Sequence, residues 1–424
     1  MSRIFITLAS LIIIFSLSAA GWFYRPWSPY SPAEIQTRTQ PEYLTDAFRH
    51  MNEIFPYRTI SANPSPSPLS RIGANSEVAF HWNGQQKSIS EWMDNSSGTG
   101  LMVLHNGQIV HEEYGLDADA ETRHTSWSVG KSFVATLIAM AMQDGHITSL
   151  DQTAETFAPQ FEGTDYGRTS LRHLLMMSAG VEFNEDYGAP DSDIRNLFLG
   201  AAIMGGNIDN IVADVERDRE PGEDLHYVSA NTQVLSAVVR SIYDAPLAQI
   251  VEDRIWQPLG MAGDASWNQN IQGDNGIAIG YCCLNARLDD YARFGQFYLQ
   301  DGVWDGERLL PEGWVGQATR PNAPFQEPSE DSIYAPRGYG LHFWMPNDPD
   351  GEYFMAGVFG QYVWVDERRN IVIAKSAADQ EWGPRTRESI AAMRALAAHY
   401  GDPIVEDMAD IETSDATDME TADE

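Results

Sequence analysis

Apolar and polar positions form their clearest pattern in "TGLMVLHNGQIVHEEYG", where two strand-like apolar runs flank Asn106 and Gly107. Asn-Gly is the dipeptide that best fits a type I′ turn, because both central residues of that turn need a positive φ. The segment therefore predicts an antiparallel hairpin. Further strand-like runs return late in the chain, as "YGLHFWMP", "EYFMAGVF", "QYVWVDE" and "NIVIAKSA".

Helical patterns fill the chain between these strands. The segment "SVGKSFVATLIAMAMQDG" contains no proline, is apolar on nearly every face and closes at Gly145, which predicts a buried helix. Helical patterns with loops continue to about residue 280. Two later segments, "NARLDDYARFGQFYLQDG" and "RTRESIAAMRALAAHYG", predict further helices.

This order of elements predicts an α+β fold, in which an antiparallel sheet flanked by helices is interrupted by an all-helical insertion. We expect an α/β sheet domain from residues 76–145 and 281–400, and a helical domain from residues 146–280. Residues 25–75 are rich in Pro and Ser, as in "SANPSPSPLS", and predict an irregular lead-in outside the core.

The two ends of the chain predict segments outside the folded domains. Residues 1–24 have a short basic start, an apolar run and small residues at the exit, which is typical of a signal peptide or an N-terminal membrane anchor. In either case we expect the protein to be exported, periplasmic or anchored in the inner membrane facing outward. Residues 401–424 carry ten Asp or Glu and no Lys or Arg, which predicts a disordered acidic tail.

Composition narrows the class of partner. The chain has 61 acidic and 27 basic residues, for a net charge of -34, and this excess argues against a nucleic-acid partner. A membrane is a partner only if the N-terminal segment is retained. The two cysteines, Cys282 and Cys283, are adjacent, so an ordinary disulfide between them would need a strained ring and no disulfide framework is available.

The segment "TSWSVGKSF", residues 125–133, admits two chemical interpretations. One is the end of a phosphate-binding loop, formed by Gly130, Lys131 and Ser132. That loop requires a glycine at position 125, which is Thr, and a buried parallel strand before it, where "DADAETRH" stands. The nucleotide interpretation therefore fails.

The second interpretation makes Ser128 a nucleophile and Lys131 its base. Residues three apart on a helix share a face, and burial of the lysine lowers its pKa towards that of a working base. Ser128 would lie at the helix N-terminus, where a free backbone N–H can stabilise an oxyanion. The alternative is a lysine whose stem is buried and whose amine reaches water. Gly-x-Ser-x-Gly elbows and the His or Cys spacings of zinc sites are absent from the sequence, so we expect no metal and no cofactor.

Several blocks in the same order resemble the serine β-lactamase and penicillin-binding-protein superfamily, and within it the class C-like branch of esterases and 6-aminohexanoate-dimer hydrolases. They span about residues 98–398 and include "SWSVGKSFVATLIAMAM", "SLRHLLMMSAGVEF", "HYVSANTQVLSAVV" and "AGVFGQYVWVDERRNIVIA". The resemblance implies a β-lactamase/transpeptidase-like fold.

The resemblance also implies roles for individual residues. Tyr227 and Ser229 in "HYVSANTQVL" match the family's second motif, in which the tyrosine shuttles the proton between Ser128 and the leaving group with the help of Lys131. A phenol does this near neutrality only if a cation lowers its pKa, and Lys131 is the available cation. Tyr187 lies where the dimer hydrolases carry a substrate-contacting tyrosine, although a loop aromatic that only packs is the alternative.

The family's third motif is altered here. The Lys-Thr-Gly of β-lactamases aligns with Met355, Ala356 and Gly357, so the cation and hydroxyl that help to hold the substrate carboxylate are absent. By the same resemblance Val358 supplies the second oxyanion donor beside Ser128, and Gly357 lets the substrate approach closely. The change weakens the β-lactamase and carboxypeptidase interpretations.

We therefore expect a metal-free serine hydrolase that cleaves an amide or ester of a small substrate through an acyl-enzyme on Ser128. A 6-aminohexanoate-dimer-hydrolase-like amidase or esterase is the first interpretation. A class C-type β-lactamase or a D-alanyl-D-alanine peptidase is the alternative among enzymes. A membrane-anchored, non-catalytic binding or sensor protein on the same fold is the alternative of another class.

Overall fold

The centre of the fold is an antiparallel sheet of seven strands. The structure is a computed structural model, and it describes residues 2–25 and 27–404. The strands of the described residues are β1 (Tyr57–Ile60), β2 (Ala79–Trp82), β3 (Gln85–Ser88), β4 (Gly98–His105), β5 (Gln108–Tyr114), β6 (Arg123–Thr125), β7 (Ala265–Asn268), β8 (Leu284–Arg287), β9 (Val303–Trp304), β10 (Glu307–Arg308), β11 (Gly338–Tyr339), β12 (Trp344–Met345), β13 (Glu352–Gly357), β14 (Gln361–Asp366) and β15 (Ile371–Ala377). The order in the large sheet is β11-β12-β13-β14-β15-β4-β5.

Helices cover both faces of this sheet. Those of the described residues are α1 (Ser2–Tyr24), α2 (Pro32–Arg38), α3 (Leu44–Arg49), α4 (Met51–Ile54), α5 (Ile89–Asn95), α6 (Val129–Gln143), α7 (Leu171–Leu175), α8 (Asp193–Phe198), α9 (Ile208–Ala213), α10 (Ser229–Tyr243), α11 (Leu247–Val251), α12 (Leu288–Leu299), α13 (Trp314–Ala318) and α14 (Thr386–Tyr400). Short 3₁₀ turns lie at Pro41–Tyr43, Ala154–Thr156, Pro159–Phe161 and Pro324–Gln326, and π-helical turns at Leu199–Ile203 and Glu252–Trp256.

The predicted hairpin is confirmed. Strands β4 and β5 pair antiparallel with His105 opposite Gln108, and the turn residues Asn106 and Gly107 have φ of 50° and 75°. These are the positive angles that a type I′ turn requires. Three of the four late strand-like runs form β13, β14 and β15, whereas "YGLHFWMP" forms only the two-residue strands β11 and β12. The two late helices also form, and the predicted α+β fold is confirmed.

Alternating residues of the central strands face two separate apolar layers, as the two-residue period of a strand requires. On β15, Val372 and Ala374 pack with α6 and α12, whereas Ile371 and Ile373 pack on the other face with α5 and α14. Helix α6 is buried along nearly its whole length, as its uniformly apolar sequence predicts. The N-terminus of this rigid helix carries the candidate nucleophile.

The predicted irregular lead-in is wrong for residues 32–60. This segment forms α2, α3, α4 and β1, and places Phe48, Met51 and Phe55 in the core. The physical reason is that Pro32 and Pro41 stand at the first position of their helical turns, where a proline starts a helix instead of breaking it. The region 146–280 is likewise not all helical, because β7 pairs with β1 and β8 in a second sheet of order β1-β7-β8-β6.

Two further expectations concern the cysteines and the ends of the chain. Cys282 and Cys283 are joined by a disulfide, contrary to the argument against a bond between neighbours, at a turn where Cys283 has a φ of 76°.

Among the described residues no single helix combines the length and apolar composition needed to cross a membrane, although the bent pair Ser229–Tyr243 and Leu247–Trp256 meets both criteria together. Export or anchoring stays a prediction, and most of the expected acidic tail, residues 405–424, lies outside the described residues.

Candidate active site

Ser128 stands on a tight turn at the start of α6. The preceding residue, Trp127, has a φ of 41°, a backbone conformation that side chains rarely adopt and that is often found at functional sites. Ser126 fastens the turn to β8, since its N–H donates to the Leu284 carbonyl at 2.7 Å and its hydroxyl accepts from the Leu284 N–H at 3.0 Å. The turn therefore presents Ser128 from a fixed position.

Lys131 lies one helical turn further on and points at Ser128. Its Nζ donates to Ser128 Oγ at 3.1 Å, to Ser229 Oγ at 3.0 Å and to the Tyr281 carbonyl at 2.9 Å. The side chain is 2% exposed, and this burial lowers the pKa of Lys131 to about 8, against an opposing effect of Glu185. Once neutral, the amine keeps two N–H donors for Ser229 and Tyr281 and has a lone pair for the Ser128 proton.

Tyr227 closes the other side of Ser128. Its buried ring stacks on Trp344 at 5.5 Å, and its phenol is hydrogen-bonded to Ser128. Burial raises the pKa of Tyr227, and the Ser128 hydrogen bond opposes that effect only in part. The expectation that Lys131 lowers this pKa is wrong, because the ammonium lies 5.1 Å from the centre of the ring and burial dominates. Tyr227 is thus a protonated phenol that can donate a proton, and the amine of Lys131, once neutral, can accept one.

Sequence reasoning missed Glu185, which lies behind Ser229. The Ser229 hydroxyl donates a short hydrogen bond to this carboxylate, and the Ser229 N–H donates to it at 2.9 Å. Burial raises the pKa of Glu185, and the nearby Lys131 opposes the rise. Its position two residues before Tyr187 in "GVEFNEDYG" was the available signal. The carboxylate holds Ser229 and balances the charge of Lys131 when that amine is protonated.

Tyr187 reaches the same group. Its hydroxyl donates to Glu185 at 2.7 Å, and its ring packs edge-on against Trp382 at 6.2 Å. The residue is 36% exposed and borders the open space in front of Ser128. Tyr187 can therefore contact a substrate, and it also orients Glu185.

The end of β13 lies directly against the Ser128 turn. A Cβ atom at Gly357 would stand 2.5 Å from the Ser126 carbonyl oxygen and 3.0 Å from the Ser128 nitrogen, so only glycine allows this approach. Among the hydrogen bonds of the described residues, the backbone N–H groups of Ser128 and Val358 have no acceptor. These two donors are free to bind an oxyanion.

Two cavities meet at Ser128. The first, of about 320 Å³, is lined mainly by apolar side chains, and we call it the apolar cavity. The second, of about 530 Å³, is lined by aromatic and polar groups that include Tyr227, and we call it the polar cavity. Ser128, Tyr187 and Val358 border both, so a carbonyl group at Ser128 would have one substituent in each direction.

Sequence reasoning also missed Arg337, which borders the polar cavity. Its guanidinium stacks on Trp344 at 4.2 Å, and its Nε donates to the Tyr334 carbonyl at 3.2 Å. Within the described residues it forms no salt bridge with a carboxylate, in a chain with more than twice as many acidic as basic residues. An arginine in such a place can bind a planar anion such as a carboxylate.

All the sequence-predicted residues thus border one site: Ser128, Lys131, Tyr187, Tyr227, Ser229, Gly357 and Val358. Within the part of the chain that the structure describes, no group of three or more His, Cys, Asp or Glu side chains could hold a metal ion. The arrangement can perform nucleophilic attack, proton transfer and oxyanion stabilisation with side chains and backbone alone.

Comparisons with known proteins place this chain in a family. The beta-lactamase family model matches residues 86–398. The 6-aminohexanoate-dimer hydrolase of Paenarthrobacter ureafaciens is 25% identical over 337 residues, which cover 78% of this chain and 84% of that protein.

Solved structures show the same fold. A protein of Bacillus anthracis, described as a candidate 6-aminohexanoate-dimer hydrolase, superposes with a TM-score of 0.76 at 22% identity, covering 85% of this chain and 95% of that one. EstCE1, a hydrolase with promiscuous acyltransferase activity, gives a TM-score of 0.57 at 17% identity over 73% of this chain and 96% of that one. The resemblance inferred from the motifs is confirmed: the chain belongs to the beta-lactamase family and is a serine-type hydrolase.

Proposed function

We propose that the protein is an amidase or esterase that cleaves a small substrate through an acyl-enzyme on Ser128. The observation that carries the proposal is the hydrogen bond of 3.1 Å between Lys131 Nζ and Ser128 Oγ, made by an amine whose pKa burial lowers to about 8. A lysine in this state is neutral often enough near neutral pH to act as a general base.

The reaction follows from the positions of the groups. Ser128 Oγ attacks the substrate carbonyl carbon and its proton passes to Lys131 Nζ, while the N–H groups of Ser128 and Val358 hold the oxyanion. The carbonyl re-forms as the bond to the leaving nitrogen or oxygen breaks. Tyr227 gives its proton to that leaving atom, and the proton on Lys131 replaces it. Water then attacks the acyl-enzyme, with the same groups working in reverse.

The polar cavity indicates what the leaving group carries. Tyr227 borders this cavity, so the leaving group must extend into it, towards Arg337. A carboxylate there would give Arg337 the anionic partner that it lacks among the described residues. The 6-aminohexanoate dimer has a leaving amine with such a carboxylate, and Arg337 supports a leaving group of this kind.

Arg337 also supports a second enzymatic function. The β-lactamase and D-alanyl-D-alanine peptidase interpretations were weakened because Met355 and Ala356 replace the lysine and the hydroxyl of the third motif. Arg337 supplies a cation from another element, so a carboxylate-bearing β-lactam or peptide has an anchor as well. Turnover of the three substrate classes distinguishes these functions from each other and from a non-catalytic binding protein.

The experiment measures hydrolysis of p-nitrophenyl acetate, the 6-aminohexanoate dimer and a chromogenic cephalosporin by the full chain. The matched variants are Ser128→Ala and Ser132→Ala, the second a buried serine on α6 that donates to the His342 carbonyl. We expect turnover of the ester or the dimer that only Ser128→Ala abolishes. Dominant cephalosporin turnover would favour the β-lactamase, and no Ser128-dependent turnover of any substrate would overturn the proposal.

A further inference from the structure

The apolar cavity has a composition that sets it apart from the polar one. Its walls come from α3 and α4 in residues 44–55, which lie outside the family match, from the π-helical turn Leu199–Ile203, and from aromatic residues beside Ser128. The side chains that give it its character are Phe48, Met51, Phe55, Ile194, Phe198 and Ile203. Single π-helical turns are often found at functional sites.

The position of the proton donor decides which part of a substrate enters this cavity. Tyr227 borders the polar cavity and not the apolar one, and a leaving group must reach Tyr227 to receive its proton. The oxyanion donors Ser128 and Val358 stand where the two cavities meet. The acyl substituent, on the other side of the carbonyl carbon, therefore extends into the apolar cavity.

The size of the cavity sets the size of that acyl group. An apolar cavity of about 150 Å³ admits benzene, so 320 Å³ holds roughly twice as many carbon atoms, about twelve. An acetyl group would leave most of this space unfilled. A longer aliphatic chain would fill it and gain buried apolar contacts, which favour its binding.

The charge of the lining excludes an amino-terminated chain. Among the described residues that line the apolar cavity, the single charged side chain is Arg195, which is exposed and positive, and none is acidic. A buried ammonium without a carboxylate partner is costly. An acyl group that ends in an amine, such as 6-aminohexanoyl, is therefore a poor match for this space.

We propose that the apolar cavity binds an unbranched aliphatic acyl chain of about eight to twelve carbons, so that the protein hydrolyses medium-chain acyl esters or amides. This inference rests on the proposed function and adds the acyl specificity to it. Residues 44–55 act as the acyl-binding wall, and the exposed Leu199, at 43% exposure, stands at the mouth.

The experiment compares kcat/KM of the full chain on p-nitrophenyl acetate, hexanoate, decanoate and 6-aminohexanoate. These esters share one leaving group, so differences arise from the acyl side. Each buried methylene contributes a factor of about three to four, so burial of only three of the eight extra carbons of decanoate already gives about thirtyfold. We therefore expect decanoate to exceed acetate by at least about thirtyfold. Hexanoate should exceed 6-aminohexanoate, which has a chain of the same length with a terminal charge, by at least about tenfold.

Three variants locate the effect. Ile203→Trp fills the cavity and should lower the ratio of kcat/KM for decanoate to kcat/KM for acetate about tenfold. Leu199→Asp places a charge at the mouth and should do the same more weakly. Met204→Asp is its matched control, because Met204 is 64% exposed, is near in sequence and does not line the cavity. Both Asp substitutions lie at exposed positions, so we expect them to have little effect on the stability of the fold.

The outcomes separate this inference from the proposed function. Ser128-dependent turnover that is equal for acetate and decanoate, with no effect of Ile203→Trp, would overturn the acyl specificity and leave the hydrolase intact. If no ester is turned over in a Ser128-dependent manner, the proposed function fails, and calorimetric titration of Ser128→Ala with decanoate then decides the inference alone. Decanoate binding that Ile203→Trp abolishes supports the aliphatic site, and no binding overturns it.

Discussion

Two buried lysines show what burial does and does not indicate about chemistry. Lys131 on α6 is 2% exposed and Lys375 on β15 is 3% exposed, and burial lowers the pKa of the first to about 8 and of the second to about 7. Their surroundings differ. Lys131 reaches three oxygen atoms within 3.1 Å, one of them the Ser128 hydroxyl, beside two cavities that a substrate can enter.

Among the described residues, the Lys375 amine makes no hydrogen bond to a hydroxyl group and has no open space beside it. Its Nζ lies 3.5 Å from the Gly360 carbonyl oxygen and 4.8 Å from the centre of the Trp92 ring, and the cavity that it borders measures about 10 Å³. A lowered pKa thus reports burial at both lysines. The partners and the open space, not the pKa, are what support our proposal that Lys131 is the base.

The largest expected difference is between Lys131→Met and Lys375→Met. The first removes the base and should lower kcat/KM by about 10³ or more, while the second should leave kcat/KM within about threefold. The measurement is ester hydrolysis by each purified variant, with circular dichroism and a thermal melt to show that both are folded. An equal loss in folded Lys375→Met would show that the comparison assigns the base wrongly.

The sequence predicts the contact of Lys131 with Ser128 but not the surroundings of Lys375, for a physical reason. Lys131 is three residues from Ser128 on one helix, so local spacing predicts their contact. The hairpin at Asn106 and Gly107 was predictable on the same local grounds. Lys375 reaches Trp92 only because β15 and α5 pack together, which the spacing of residues along the chain does not reveal.

The rest of the site divides in the same way. Tyr227, Ser229, Gly357 and Val358 were found through motifs, whose spacing is local. Arg337 and Glu185 were missed because their importance depends on what lies opposite them in the fold. The proposed acyl-binding wall of residues 44–55 was missed because the prolines near it were interpreted as breaks, although they start helices.

Tyr227→Phe sharpens the assignment of Lys131 as the base and Tyr227 as the donor. Loss of the donor should lower amide turnover by about 10² to 10³. The loss on a p-nitrophenyl ester should be far smaller, because p-nitrophenolate leaves without a proton. Tyr339→Phe is the matched control, a buried tyrosine that packs against Tyr227 at 5.9 Å. Equal losses on ester and amide would mean that Tyr227 acts in the attack step instead.

The pH dependence separates the two lysines without a change of fold. The neutral form of Lys131 is the active one, so kcat/KM should fall about tenfold per pH unit below the pKa of about 8 and level off above it. Lys375→Met should have the same profile. If the midpoint instead lies near pH 7 and Lys375→Met abolishes the titration, the titrating group is Lys375 and our assignment of Lys131 is wrong.

The smallest expected effect concerns the carboxylates that face the two amines. Glu185 raises the pKa of Lys131 by its charge, and Asp379 does the same for Lys375, in each case against the dominant effect of burial. Glu185→Gln keeps an oxygen that can accept from Ser229 but removes the charge. The pKa of Lys131 should therefore fall below about 8, and the pH profile should move to lower pH by up to about one unit. Asp379→Asn should lower the pKa of Lys375 alone and leave the profile in place. A merely structural role of Glu185 would lower kcat/KM at every pH without moving the midpoint, so the position of the midpoint, and not the loss of rate, shows whether this carboxylate acts through the charge on Lys131.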